Sequence, residues 1–357
     1  MPPTPVNDIL FDRTIRHAHF LQRLSATEAN QIIRFLEREV YPDLVDKIEA
    51  RLRASLTGRT RSLRSTERLK ALSLEIDRLI QEGHATAFRM AMTGMRDAAV
   101  MEGTFVASIL GSSVGDFGFT ANTPAGPLLR AIVQDTPVRG EFVRNQWGQM
   151  TANTRAKVKA AINIGIAEGE GVDKIVRRLR VGGSSLNPGI LASPKHEVRR
   201  IVRTAMNNTL NQARELTYAE NAHLIKEVRW VSTLDARTSH ICAALDGQTF
   251  GIEEGPRPPA HHNCRSTTVP ITKSWKELGI PLKDAPPGTR ASMNGQVPSN
   301  VFYPEWLKGQ STAIQNQVLG PTLGKHFRAG RVDIRKFIDQ QNRPLSVANI
   351  LRLEGLD

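Results

Sequence analysis

Apolar residues recur at three- and four-residue intervals over most of this chain, the spacing that gathers one face of an α-helix. Ile32, Ile33, Phe35, Leu36 and Val40 form one such stripe, and Leu44, Val45, Ile48 and Leu52 a second. Phe20, Leu21 and Leu24 lead into Ser25-Ala-Thr-Glu28, which has the spacing of a capping box, so a helix start is predicted there. Ser65 is placed to cap a further helix carrying Leu69, Leu72, Ile76, Leu79 and Ile80. From Ala85 to Ala107 the pattern turns rich in Ala, Met and Gly, which allow close helix approach. Met90, Met92, Met95 and Met101 read there as adaptable core. Gly111 to Pro127 reads as a loop without the Gly-Lys-Ser/Thr of a phosphate cradle, which argues against a P-loop ATPase motor. Helices are then predicted over Pro127–Val133, Arg139–Met150, Thr151–Glu168 and from Gly171 to Arg180.

Gly182-Gly183-Ser184-Ser185-Leu186-Asn187-Pro188-Gly189 is a linker by composition. A long helix follows, with Ser193-Pro194 at its start and Val198, Ile201, Val202, Ala205, Met206, Leu210, Ala213 and Leu216 on its buried face. The period then changes. Val228–Val231 reads as a strand, Asp235 occupies an expected helix N-cap, and Thr238–Leu245 reads as a short helix. Asp246-Gly247 is a tight turn, Gln248–Phe250 a second strand, Gly255–Pro259 a rigid loop, and Thr267–Val269 a third strand. Trp306, Ile314, Val318, Leu319, Phe327, Val332, Ile334, Phe337, Ile338 and Leu351 fit short helices that pack back or bind a neighbour. The expected class is α+β and mostly helical: an elongated helical half over 1–181, a linker over 182–193, a small α+β module over 194–275, and a loop and helical tail over 276–357.

With 357 residues, 40% hydrophobic and 23% charged, the chain can fold around a large core. Aromatics at 5% favour helices over a large β-sandwich. No apolar run approaches the ~18 residues of a membrane span, and Met1-Pro-Pro-Thr-Pro is no secretory signal. Two cysteines do not make a disulfide framework, so the reducing cytosol is the natural place of synthesis. The net charge of +13 points to a polyanionic partner held through counterion release. Arg51, Arg53, Arg59, Arg61, Arg64, Arg68 and Lys70 form the densest basic stretch, which either tracks phosphates or is a solvated connection between helices. No zinc finger, RNP motif or helix-turn-helix is present, so base-specific reading is not expected.

Chemistry-bearing residues concentrate between Trp230 and Pro270. Cys242, Cys264 and His261 or His262, with Asp235 or His240 as a fourth donor, are a possible tetrahedral zinc set, although no Cys-x-x-Cys pair is present. The other readings of the thiols are small buried hydrophobes or a disulfide formed after lysis. Asp235 and Arg237 read as a cap and an internal ion pair. A metal-dependent nuclease would need a carboxylate cluster that the segment lacks. An ADP-ribosyltransferase-like effector would need a catalytic Glu, and Glu253 and Glu254 have nothing to recommend them. No enzyme and no cofactor are expected, with zinc the one candidate ion.

The ordered set Trp230, Asp235, Arg237, Thr238, Cys242, Asp246, Gly247, Pro259, His261, Asn263, Cys264 and Arg265 resembles the Mu-F-like phage head morphogenesis family. Many relatives continue Cys-Arg-Cys, whereas here Ser266 follows Arg265, which removes a third thiol. The resemblance extends from Arg203-Thr204 to Tyr303-Pro304-Glu305-Trp306-Leu307 and Val318-Leu319-Gly320. It implies a minor head protein of the virion, portal-proximal or inside the capsid, with a role in head morphogenesis, DNA packaging or DNA ejection. The implied partners are the portal protein, the major capsid protein or scaffold, and packaged double-stranded DNA bound without regard to sequence.

Overall fold

The computed structural model describes residues 6–56, 66–115, 118–180, 189–192, 194–279 and 289–356. It is mostly helical α+β with small antiparallel sheets, as the apolar spacing predicts. Helix α1 (Val6–Phe35) passes through Ser25 without interruption, which corrects the predicted helix start. Ser25 is buried inside the helix, and Leu10, Phe11, Ile15 and Leu21 extend the same apolar stripe upstream. Burial of that continuous face outweighs a local capping signal. A π-helical turn at Leu36–Val40 leads into α2 (Tyr41–Leu56). Helix α3 (Thr66–Val114) is 49 residues long and reaches into the stretch read as a loop. Val106, Ile109, Leu110 and Val114 keep helical spacing and are buried, so the loop begins only after them. Helices α4 (Gly126–Asp135), α5 (Val143–Ala167), α6 (Val172–Leu179) and α7 (Pro194–Glu220) follow. The two helices predicted to meet at Met150 and Thr151 are one, α5. Thr151 spends its hydroxyl hydrogen on the Trp147 carbonyl inside that helix, at 2.9 Å. Ser65, Ser193 and the linker residues Gly182–Pro188 lie outside the described residues.

The chain divides into two compact units. One comprises Leu24–Asp97 and Val133–Met206. In it α2 packs on α6 and α5 on α6, burying Leu44, Val45, Ile48 and Leu52 together with Ile175, Val176 and Leu179. A polar chain crosses this interior. Tyr41 Oη lies 3.1 Å from His84 Nε2, His84 Nδ1 lies 3.0 Å from Thr151 Oγ1, and Trp147 Nε1 donates to the His84 carbonyl at 3.0 Å. Because the Thr151 hydroxyl hydrogen is already committed, His84 donates from Nδ1, and with the ring neutral its Nε2 accepts from the Tyr41 hydroxyl. Burial, aided by Arg155, lowers the His84 pKa to about 4, and burial raises that of Tyr41.

The other unit comprises Met1–Arg23, Ala98–Ile132 and Asn207–Asp357. Its sheet has the order β2-β1-β3, all antiparallel, with β1 (Ile225–Val231) between β2 (Thr249–Phe250) and β3 (Thr267–Thr272). Val228 pairs with Phe250 on one side, and Trp230 with Thr268 on the other. Helix α8 (His240–Leu245) lies in the β1–β2 connection. A hairpin of β4 (Thr289–Ser292) and β5 (Gly295–Pro298) follows, which the apolar pattern does not announce. The tail forms α9 (Tyr303–Lys308), α10 (Thr312–Arg328, kinked at Gly320-Pro321) and α11 (Val347–Leu353). It packs back on its own module: Tyr303, Trp306, Leu323, Phe327 and Phe337 share a core with Leu234 and Ala243. The start of α1 is tied in as well, since Asn7 Oδ1 accepts from Thr272 N at 2.9 Å and from its hydroxyl at 3.0 Å. Deeper inside, the fully buried Glu102 carboxylate lies 2.6 Å from Arg214 Nε and 2.7 Å from His17 Nε2. Among the described residues, no helix is long and apolar enough to cross a membrane.

Candidate functional site

The Trp230–Pro270 constellation folds around the end of β1. Trp230 is fully buried between the flanking strands, and its Nε1 donates to Ser232 Oγ at 2.9 Å. Ser232 Oγ donates in turn to the Cys242 carbonyl at 2.8 Å and lies 3.1 Å from Ser266 Oγ. Ser232 N donates to Asp246 Oδ1 at 2.6 Å, and Tyr303 N donates to Asp246 Oδ2 at 2.8 Å. Arg290 completes the carboxylate's shell: Nη1 lies 3.1 Å from Oδ2, while Nη2 reaches the Ser232 carbonyl at 2.6 Å. Asp246 therefore knots β1, α8, β4 and α9 together. Gly247 turns the chain at φ 89°, and its N donates to the Trp230 carbonyl at 2.9 Å. A side chain there would run into the Phe302 ring, so the Asp-Gly turn leaves no room for substitution.

Asp235 departs from its predicted roles. The N-cap of α8 is Ser239, whose side chain accepts from Cys242 N at 3.3 Å, and the helix starts at His240 rather than Thr238. Asp235 Oδ1 instead accepts from Arg237 N at 2.9 Å, closing a local turn. Its main ionic partner is Arg265, not Arg237. Arg265 Nη1 and Nη2 each donate at 2.6 Å in a bidentate fork, and both side chains are largely buried. Arg237 reaches the same carboxylate only at 3.3 Å from a side chain that is 80% exposed. Sequence proximity favours Arg237, but the exposed arginine keeps its hydration while the fold delivers Arg265 to a drier site. Burial pushes the Asp235 carboxyl up, the Arg265 fork pulls it down, and the net result is a pKa below the usual value. Thr238 Oγ1 donates to the Thr233 carbonyl at 2.5 Å, and Tyr303 Oη donates to the Asp235 carbonyl at 2.9 Å. Both acids of the motif are thus neutralised by buried arginines, which suits holding chain segments together more than activating water.

The cis Pro258-Pro259 bond precedes the loop that carries His261, His262, Asn263 and Cys264. Asn263 adopts a left-handed conformation at φ 56°, and Cys264 N donates to the His261 carbonyl at 3.2 Å. The turn brings Cys264 Sγ to 3.7 Å from Cys242 Sγ, and His261 Nε2 to 3.2 Å from Cys242 Sγ. Both cysteines are free and buried. Hydrogen bonding and the negative charge shared with Cys264, together with burial, push the Cys242 thiol up. Its bond to Cys242, with His261 and Ser266 N assisting, pulls the Cys264 thiol down. The pair loses one proton readily and the second with difficulty. His262 is exposed and stands outside this trio.

Arg290 escaped the reading of the sequence, as did Ser232 and the Glu102–Arg214 pair. A lone arginine in a stretch of ordinary composition carries no signal, and it acts only when β4 meets a turn 44 residues earlier. Of the basic stretch, Arg51 pairs with Glu75 at 2.8 Å, and Arg53 pairs with Glu49 at 2.8 Å and Asp173 at 2.5 Å. Lys70 is exposed. Arg59, Arg61 and Arg64, with the side chain of Arg68, lie outside the described residues.

The fold and this site define a mostly helical protein with a small α+β module closed by buried acid–arginine pairs. Residues 156–269 match the family model described as Phage Mu protein F like protein, so this stretch of the chain is Mu-F-like. The match contains Asp235, both cysteines and Arg265, and stops before Arg290 and Tyr303. Neither the curated proteins nor the solved structures compared with this chain give a match.

Proposed function

We propose that the protein is a structural component of a bacteriophage head, a minor head protein that binds portal, major capsid or scaffold subunits and lies against packaged double-stranded DNA. The observation that carries this reading is the Mu-F-like match over the polar constellation, whose acids serve as internal ties. The net charge of +13 supports a DNA contact made through phosphates, without base reading. Assembly of the head, packaging of DNA or its ejection are the steps such a binder would serve, in the virion and, during assembly, in the host cytoplasm. The domain reading that goes with it places the Mu-F-like module over 194–275, with helical docking surface upstream.

Affinity capture of the tagged full chain during phage assembly, with mass spectrometry of what is retained, tests the head role. Portal and capsid subunits are the expected catch; a catch without them, with the protein itself missing from intact heads and assembly intermediates alike, would sink the reading. Binding to duplexes of unrelated sequence is expected to fall steeply and equally as salt rises. A strong preference for one sequence would overturn the DNA contact.

A further inference from the structure

Three donor atoms converge beneath the His261 loop. Cys242 Sγ, Cys264 Sγ and one ring nitrogen of His261 all lie within 4.8 Å of one another. We propose that Cys242, Cys264 and His261 bind one divalent cation of borderline softness, zinc being the expected occupant, with a water molecule completing the tetrahedron.

The spacing fits the ion. Zn–S bonds of about 2.3 Å and a Zn–N bond of about 2.0 Å, set tetrahedrally, give sulfur–sulfur edges of about 3.8 Å and sulfur–nitrogen edges of about 3.5 Å. The corresponding separations here are 3.7 Å between the two Sγ atoms and 3.2 Å from Cys242 Sγ to His261 Nε2. A few tenths of an ångström admit the metal, whereas a disulfide requires the sulfurs to close to about 2.05 Å.

The imidazole is also pre-set as a ligand. His261 Nδ1 faces the His262 carbonyl at 2.9 Å, and a carbonyl only accepts, so the ring proton sits on Nδ1. The Nε2 lone pair then points at the thiols. Metal-bound histidines are oriented by this kind of contact, with the second nitrogen donating to a carbonyl or carboxylate. His262 thus contributes its backbone and not its ring. The other donors considered from the sequence are engaged: Asp235 in the Arg265 fork, and His240 Nε2 with the Val318 carbonyl at 2.8 Å.

Two sulfurs and one nitrogen suit zinc and exclude calcium and magnesium, which take oxygen. Two thiolates balance the charge of a divalent ion, which makes the burial of both cysteines economical in electrostatic terms. Loading displaces any protons the thiols still hold into solvent, so affinity falls with acid. The ion would fasten the Pro258–Cys264 loop to α8, and His261, only partly buried, gives it a route in.

The test is a titration of the chelator-treated, reduced full chain with Co²⁺ and Zn²⁺, read by the cobalt–thiolate charge-transfer absorbance and by elemental analysis. One ion per chain with a thiolate band is expected. His261→Ala should weaken binding tenfold or more, and His262→Ala should leave it at the wild-type level. The absence of a thiolate band with substoichiometric zinc overturns the proposal. Equal losses in the two histidine variants also overturn it, as does an intramolecular disulfide that persists under reducing conditions. The wild-type cobalt spectrum decides the matter even if His261→Ala fails to fold.

Discussion

Arg290 and Asp246 form a buried ion pair at 3.1 Å between side chains that are 1% and 0% exposed. The arginine also binds the Ser232 carbonyl, and the carboxylate also accepts two backbone N–H groups. A charge this deep is tolerable only while its partner is present. Arg290→Met is expected to destabilise the protein by about 3–5 kcal/mol, because it strands the Asp246 carboxylate. The double variant Asp246→Ala with Arg290→Met should cost less than the two single changes added together. Urea unfolding of the four proteins measures this, and strict additivity would show that the pair is not coupled.

Asp235 gives a contrast between two arginines on one carboxylate. Arg237→Ala removes an exposed partner and should change stability by no more than about 0.5 kcal/mol. Arg265→Ala breaks the bidentate fork and should cost several times as much. The pair also has a pH signature. The folded pKa of Asp235 lies below its ordinary value of 3.8, so its contribution is full above that value and is lost as pH falls further, through the folded pKa. Unfolding midpoints at pH 7 and below pH 4 should show Asp235→Asn losing less on acidification than the wild type.

His84 gives the opposite kind of group a similar pH direction. Its ring is neutral when folded, with a pKa lowered from 6.5 to about 4, mainly by burial. Between these values the unfolded chain binds the proton and the folded one does not, so stability falls as pH drops from about 6.5 to about 4. The full loss amounts to roughly 3 kcal/mol at the lower limit. Amide exchange in α5, which holds Thr151 and Trp147, should accelerate over that interval. His84→Gln should flatten the dependence, and an unchanged slope would mean that another group is responsible.

Gly247→Ala combines two penalties. The residue sits at φ 89°, and a Cβ there would lie 2.5 Å from the Phe302 ring. A cost of about 2–4 kcal/mol is expected, visible as a lower Tm with no loss of helical circular dichroism. A neutral outcome would show that Phe302 swings clear and that the turn accepts a side chain.

The helices were legible because burial imposes a period on the sequence, and the period is a property of each residue's immediate neighbours. Among the described residues, the stripes of α2, α3 and α7 lie where that period puts them. Boundaries were less legible, since Ser25–Glu28 has the letters of a cap but lies under a continuous apolar face. The constellation was readable as a set of residues, Cys242, His261 and Cys264 among them. Its pairings were not. Arg265 takes Asp235 from the closer Arg237, and Arg290 comes from a hairpin that β-propensity does not mark. Such choices depend on which charge loses its water, and desolvation is a property of the finished fold.

The first residues of α1 hydrogen-bond to Thr272, 265 positions downstream. The unit they complete draws on three separated stretches of chain. Translation therefore delivers α1 long before the strand that receives it, and the unit cannot close until β3 has been made. A fragment cut to the limits of the family match would lack both α1 and Arg290. It would inherit the motif without the scaffold that sets it, so work on the isolated segment would report on a different molecule.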